Sequence, residues 1–197
     1  MRNNSEITPT GDNNREGLNF TKVAHNFALT VDPRLTRTIV PMQSFVDLDW
    51  ETILKQSRGL VIDVDATLVA HHSNEFSPLV LAMLETLRAQ IDVVIFSNNN
   101  QLRQPLVDIG LPFVTNVKPK PHPDGFDRAA RFYMNRSPQK CTMIGDNLLT
   151  DGGALVAGMK LALVKPVPGP EGRGHRLTRA YGHWIKSVHD RILGTYK

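Results

Sequence analysis

The residues with the clearest chemical potential lie in Gly59-Leu60-Val61-Ile62-Asp63-Val64-Asp65-Ala66-Thr67, an apolar run ending in Asp-x-Asp-x-Thr. Two carboxylates so close repel each other unless a cation holds them together. The spacing therefore suggests a hard-metal site with one carboxylate left for reaction, and Thr67 adds a hydroxyl that can hold a phosphate oxygen. Three more clusters follow: Ser97-Asn98-Asn99-Asn100, Lys118-Pro119-Lys120-Pro121, and Gly145-Asp146-Asn147-Leu148-Leu149-Thr150-Asp151.

Each part has a physical task. Asp63 can attack a phosphoryl phosphorus and form an aspartyl-phosphate. Mg²⁺ prefers oxygen ligands in octahedral geometry, and Asp63, the backbone carbonyl of Asp65 and Asp146 can supply the protein share. Ser97 and nearby backbone N–H groups can hold non-bridging oxygens, with Asn98 beside them as a substrate contact or as a turn-former. Lys120 can neutralise charge building on nucleophile and phosphate. Asp65 can give a proton to the leaving oxygen and then take one from the attacking water.

These residues must be positioned by regular elements. Gly59 to Val64 predicts a strand buried on both faces, as in parallel sheets. Ile91 to Phe96, Lys140 to Ile144 and Lys160 to Val164 predict further strands, with Phe113-Val114 as a short one. Helices are expected at Asp49 to Leu54, opened by an Asp cap, and from Ser77-Pro78-Leu79 through Ala89, with Leu79, Met83, Leu84 and Leu87 at helical spacing. Gln101 to Ile109, Asp124 to Met134 and Gly153 to Gly158 also read as helical. Leu18 to Leu54 otherwise mixes short apolar patches. The alternation calls for an α/β, doubly wound (Rossmann-like) parallel sheet, which brings all four clusters to one edge.

The bulk numbers fit one such domain: 197 residues, 41% hydrophobic, net charge +4. The sequence pI of about 9.4 favours acidic surfaces such as anionic lipid or phosphorylated ligands. No dense basic stretch with stacking aromatics points to nucleic acid. The one cysteine, Cys141, allows no intrachain disulfide, reads as a buried structural thiol, and suits a reducing, cytoplasmic compartment. No apolar run approaches the ~20 residues that span a bilayer. Residues 1–17 read as a disordered tail, and 18–197 as a single domain. His71 and His72, close to the site in sequence, could contact substrate but read more simply as surface histidines, with no spacing that supports zinc. The segment from Gly169 to Lys197 interleaves Arg173, Arg176, Arg179, Lys186 and Arg191 with Tyr181, Trp184, Ile185, Val188 and Ile192, which suits a packed C-terminal helix or one lying on an anionic membrane.

The order D-x-D-x-T, S-N, K-P and G-D-x-x-x-x-D resembles the haloacid dehalogenase (HAD) superfamily. Within it, the chain resembles the YqeG-like, subfamily IIIA branch that includes mitochondrial-type phosphatidylglycerophosphatases. The finer likeness rests on Ser97 to Asn100, on Gly145 to Asp151 and on Val164-Lys165-Pro166-Val167, and covers roughly Val31 to Leu193. The resemblance implies Asp63 as nucleophile, Asp65 as general acid/base, Thr67 and Ser97 as phosphate contacts, and Lys120 rather than Lys118 as the third-motif lysine. It further implies Asp146 as a metal ligand and Asp151 as a ligand or water-mediated support. Ala66 departs from the pattern, where such proteins often carry Asn or Gly.

Only 34 residues separate Asp63 from Ser97, and 23 separate Ser97 from Lys120. Neither gap can hold a cap domain, so the expected site is open and its substrate can be large. The resemblance implies phosphatidylglycerophosphate, an anionic phospholipid headgroup met by a peripheral protein on the inner face of a membrane. Two other readings stay open: a capless phosphatase for phosphoprotein, nucleotide or sugar phosphate, and a binding or scaffold protein on the same fold.

Overall fold

The computed structural model describes residues 20–194 apart from His72, Asn100 and Glu171. The tail read at 1–17 lies outside the described residues. Four strands, β1 (Gly59–Ile62), β2 (Asp92–Ile95), β3 (Cys141–Gly145) and β4 (Lys160–Leu163), form one parallel sheet in the order β2-β1-β3-β4. Phe113 bridges to Ile95 at one edge, and Gln43 to Val164 at the other. The expected short strand at Phe113-Val114 is thus a single parallel bridge.

The continuous apolar runs have a direct cause: both sheet faces are covered. Leu60, Ile62, Val93, Ile95, Ile144 and Ala162 belong to one core cluster, together with Ile53, Leu84, Leu87 and Leu106. These last residues come from α2 (Trp50–Gln56), α3 (Pro78–Arg88) and α4 (Gln104–Asp108). The alternate residues Val61, Val94, Met143, Leu161 and Leu163 pack on the opposite side with Leu29, Phe126, Leu148, Ala154 and Ile185. That layer is built by α1 (Phe20–Val31), α5 (Pro123–Arg128), α6 (Leu148–Asp151), α7 (Gly153–Val156) and α8 (Arg173–Leu193). This is the doubly wound α/β arrangement expected from the sequence.

Several boundaries differ from expectation. Asp49 caps α2 by accepting from the Thr52 N–H at 3.0 Å, as its spacing suggests. In α3 the buried positions are Val80, Leu84 and Leu87, whereas Leu79 is 71% exposed. Ser77 caps that helix and Pro78 opens it, so Leu79 falls on the outer side of the first turn. α4 starts three residues later than expected, with Pro105 in its first turn, and Gly110 at φ +67° follows it. α5 continues as a π-helical segment, Ala129–Tyr133. α1 is a full helix in a stretch read only as apolar patches.

Candidate functional site

The ladder carries on one residue beyond each strand and fixes the start of each loop. The Asp63 N–H donates to the Ile144 carbonyl at 3.0 Å, Phe96 N–H to Ile62 at 2.9 Å, and Val164 N–H to Gly145 at 2.9 Å. Asp63, Ser97 and Asp146 therefore emerge side by side at the carboxyl edge, where open α/β sheets build sites.

Lys120 is the hub. It is 1% exposed, and its Nζ lies 2.9 Å from Asp63 Oδ1 and 2.6 Å from Asp151 Oδ1. Lys118, by contrast, is largely exposed and pairs with Asp124 at 3.6 Å. The Lys120 backbone is gripped by Asn98: its N–H donates to Asn98 Oδ1 at 2.7 Å, and Asn98 Nδ2 donates to its carbonyl at 3.1 Å. Asn98, read as a substrate contact, thus braces the lysine loop with both ends of its amide. Ser97 Oγ accepts from the Asn99 N–H at 3.1 Å and shapes the neighbouring turn.

Asp63, Asp146 and Asp151 each offer a carboxylate oxygen within 4.8 Å of the others, and all three are buried. Asp151 has both oxygens engaged, Oδ1 by Lys120 and Oδ2 by the Asn147 N–H at 3.0 Å. Gly145 makes room for it, since a Cβ there would fall 2.2 Å from Asp151 Oδ2. Asp146 Oδ2 accepts from Arg179 Nε at 2.7 Å, and its Oδ1 accepts from the Thr67 hydroxyl at 3.5 Å. Asp65 lies outside this trio: its Oδ1 accepts from Arg103 Nη2 at 2.8 Å.

The electrostatics follow from burial. Burial pushes the Asp63 carboxyl up to about 8, helped by Asp151 and Asp146 and opposed by Lys120. Burial and Asp151 raise Asp146 to about 6, against Arg179 and Lys120. Burial alone would lower Lys120, but the Asp151 and Asp63 carboxylates outweigh it and hold the ammonium above its ordinary value. Carboxyls pushed upward in this way mark a site short of positive charge. The donor set is all oxygen, which fits a hard divalent cation such as Mg²⁺ and not a soft one.

Two participants were missed from the sequence. Arg179 sits on α8, distant in sequence from Asp146, and only the fold brings them together. Arg103 falls within the stretch expected as a helix, Gln101 to Ile109, and no motif singles it out, yet its side chain is 1% exposed. The C-terminal helix is packed: Ile185 is buried, and His189 bonds the Thr36 hydroxyl at 3.0 Å and the Thr30 carbonyl at 2.9 Å. Cys141 is buried, and burial raises its thiol to about 11, as suits a structural role. Ala66 adopts φ +61°, and its carbonyl accepts from Val167 N–H at 2.8 Å. No described helix is long and apolar enough to cross a membrane.

A family model described as haloacid dehalogenase-like hydrolase matches residues 29–158. The Bacillus subtilis (strain 168) protein named "Probable phosphatase YqeG" is 34% identical over 144 residues, covering 71% of this chain and 78% of that protein. An uncharacterized protein from Corynebacterium glutamicum is 18% identical at a TM-score of 0.42, over 66% of this chain and 95% of its own. A HAD family hydrolase from Deinococcus radiodurans R1, solved with bound phosphate and sodium, is 18% identical at a TM-score of 0.39, over 66% of this chain and 88% of its own.

Proposed function

The chain belongs to the haloacid dehalogenase-like hydrolases, and from that premise we propose that it is a phosphomonoester hydrolase working through an aspartyl-phosphate on Asp63. Lys120 holds Asp63 Oδ1 at 2.9 Å, which leaves Oδ2 to attack phosphorus. The ester P–O bond breaks, and its electron pair leaves with the alcohol oxygen, which takes a proton from Asp65. Water then attacks the phosphorus of the aspartyl-phosphate, Asp65 accepts its proton, and the Asp63 carboxylate is released with inorganic phosphate. Lys120, Thr67 and the loop at Ser97 offset charge on the phosphoryl oxygens. Asp63, Asp146 and the Asp65 carbonyl would hold Mg²⁺, with Asp151 behind them, and the bound ion would supply Lewis-acid stabilisation of the transferring group.

The substrate in this reading is phosphatidylglycerophosphate, hydrolysed to phosphatidylglycerol and phosphate by a capless, peripheral enzyme on the inner face of a membrane. The observation that carries it is the outer face of α8. Leu177, Tyr181, Trp184, Val188 and Ile192 recur at helical spacing, and all but the half-buried Val188 are exposed. Exposed Arg176 and Arg191 flank this stripe, and Arg179 on the same helix reaches Asp146. An apolar stripe with aromatic rings and flanking arginines suits an anionic lipid surface. The short connections between the site loops support an open entrance: among the described residues, only a loop, α3 and β2 lie between Asp63 and Ser97.

The test is phosphate release from phosphatidylglycerophosphate in mixed micelles with Mg²⁺, wild type beside Asp63→Asn. p-Nitrophenyl phosphate and a soluble sugar phosphate run in parallel. Lipid turnover that depends on both Mg²⁺ and Asp63 supports the reading. Turnover of the soluble esters alone keeps the chemistry and discards the lipid. Turnover of nothing favours a scaffold protein on this fold.

A further inference from the structure

Arg103 is among the largest fully buried side chains of the molecule, and the chemistry just described does not use it. Its Nη2 donates to Asp65 Oδ1 at 2.8 Å, and its Nη1 donates to Asn74 Oδ1. The backbone beneath is equally fixed: the Arg103 carbonyl accepts from the Leu106 and Val107 N–H groups at the start of α4. A guanidinium carries its donors in a rigid planar fork, so two anchored nitrogens set the position of whatever they hold. Burying so large a cation is unfavourable without a matched anion, and Asp65 supplies that anion.

We propose that Arg103 is a positioning residue for Asp65, anchoring Oδ1 so that Oδ2 carries the proton to the leaving oxygen. The inference rests on the phosphatase reading above. When the P–O bond to the alcohol breaks, the electron pair stays on the alcohol oxygen and the proton passes from Asp65 Oδ2 to it. The negative charge then left on Asp65 faces a cation already in place, with no reorganisation at the moment of transfer. An alkoxide needs that proton in order to leave, whereas p-nitrophenolate leaves well without one. Arg103 therefore matters most for esters of aliphatic alcohols.

The experiment compares kcat/KM for ethyl phosphate and p-nitrophenyl phosphate in wild type, Arg103→Gln and Arg103→Lys, with Mg²⁺ present. This ratio reports steps up to alcohol release, so the later role of Asp65 toward water does not enter it. Arg103→Gln is expected to lower the ethyl phosphate value roughly tenfold or more and the p-nitrophenyl value by less than about threefold. Arg103→Lys, which keeps the charge without the fork, falls between wild type and Arg103→Gln on ethyl phosphate. Equal loss on both esters, or no loss on either, overturns the positioning role. If wild type hydrolyses neither ester, it is the phosphatase reading that fails. Should Arg103→Gln not fold, Asn74→Ser, which removes the exposed amide behind the guanidinium, carries the same comparison with a smaller split in the same direction.

Discussion

Replacing Asp63 by Asn should stabilise the metal-free protein while abolishing turnover. The folded carboxyl is raised from 3.8 to about 8, chiefly by burial. Below about pH 4 both the folded and the unfolded chain hold this proton, and the group contributes no difference. Above that, the unfolded chain releases a proton that the folded chain keeps, so folded stability is lost progressively as pH rises toward 8. Between 3.8 and pH 7 this loss amounts to about 4 kcal/mol, at 1.36 kcal/mol per pH unit. The titration is shared with Asp146, which lies within 4.8 Å, so roughly half of that, about 2 kcal/mol, is expected for Asp63 itself. Asn keeps the shape without the titration, and Lys120 keeps Asp151 as its partner. The assay is thermal unfolding in a chelator at pH 5, 7 and 8. The variant should gain about 4–8 °C at pH 7, less at pH 5 and more at pH 8. Adding Mg²⁺ should raise wild type more than the variant, because binding to the folded state stabilises by mass action. A gain that is flat with pH, or a variant less stable than wild type at every pH, would refute the argument that burial holds Asp63 above its ordinary value.

Other perturbations test other parts of the site. Gly145→Ala places a Cβ 2.2 Å from Asp151 Oδ2 and should displace that carboxylate, lowering kcat at least about tenfold, as read by steady-state phosphate release. Lys120→Met leaves buried carboxylates unpaired and should destabilise the metal-free protein by about 3–5 kcal/mol in urea titration, with part of the loss recovered in Mg²⁺. Ala66→Gly relieves a left-handed backbone at φ +61° and should raise stability by about 0.5 kcal/mol, seen as a small rise in Tm.

Much of this arrangement is legible from sequence because the sheet is buried on both faces. Leu60-Val61-Ile62 and Val93-Val94-Ile95 send alternate residues to opposite cores, which makes each strand an unbroken apolar run. The polar residues closing those runs, Asp63, Ser97 and Asp146, then fall on one edge by topology alone. What stays hidden depends on long-range pairing. Arg103 and Arg179 carry no local pattern that separates them from solvated arginines; their partners, Asp65 and Asp146, lie 38 and 33 residues away. The bracing role of Asn98 is invisible for the same reason, since its contacts are with the backbone of Lys120. α1 escapes notice because Thr21, Lys22, His25 and Asn26 break up its apolar residues, and its packing, through Leu29, depends on elements far along the chain. In α3 the periodicity is right, but Leu79 points outward while Val80 takes the core position, a one-residue register that apolar spacing alone does not fix.

Phosphate is to pass through Asp63 on its way from ester to water. The most direct measurement is mass spectrometry of peptides from enzyme acid-quenched during turnover of p-nitrophenyl phosphate with Mg²⁺. A phosphoryl group is expected on the peptide containing Asp63, absent in Asp63→Asn, which should also lack turnover. A phosphoryl group on another residue, or an Asp63→Asn variant that still hydrolyses the ester at the wild-type rate, would contradict it.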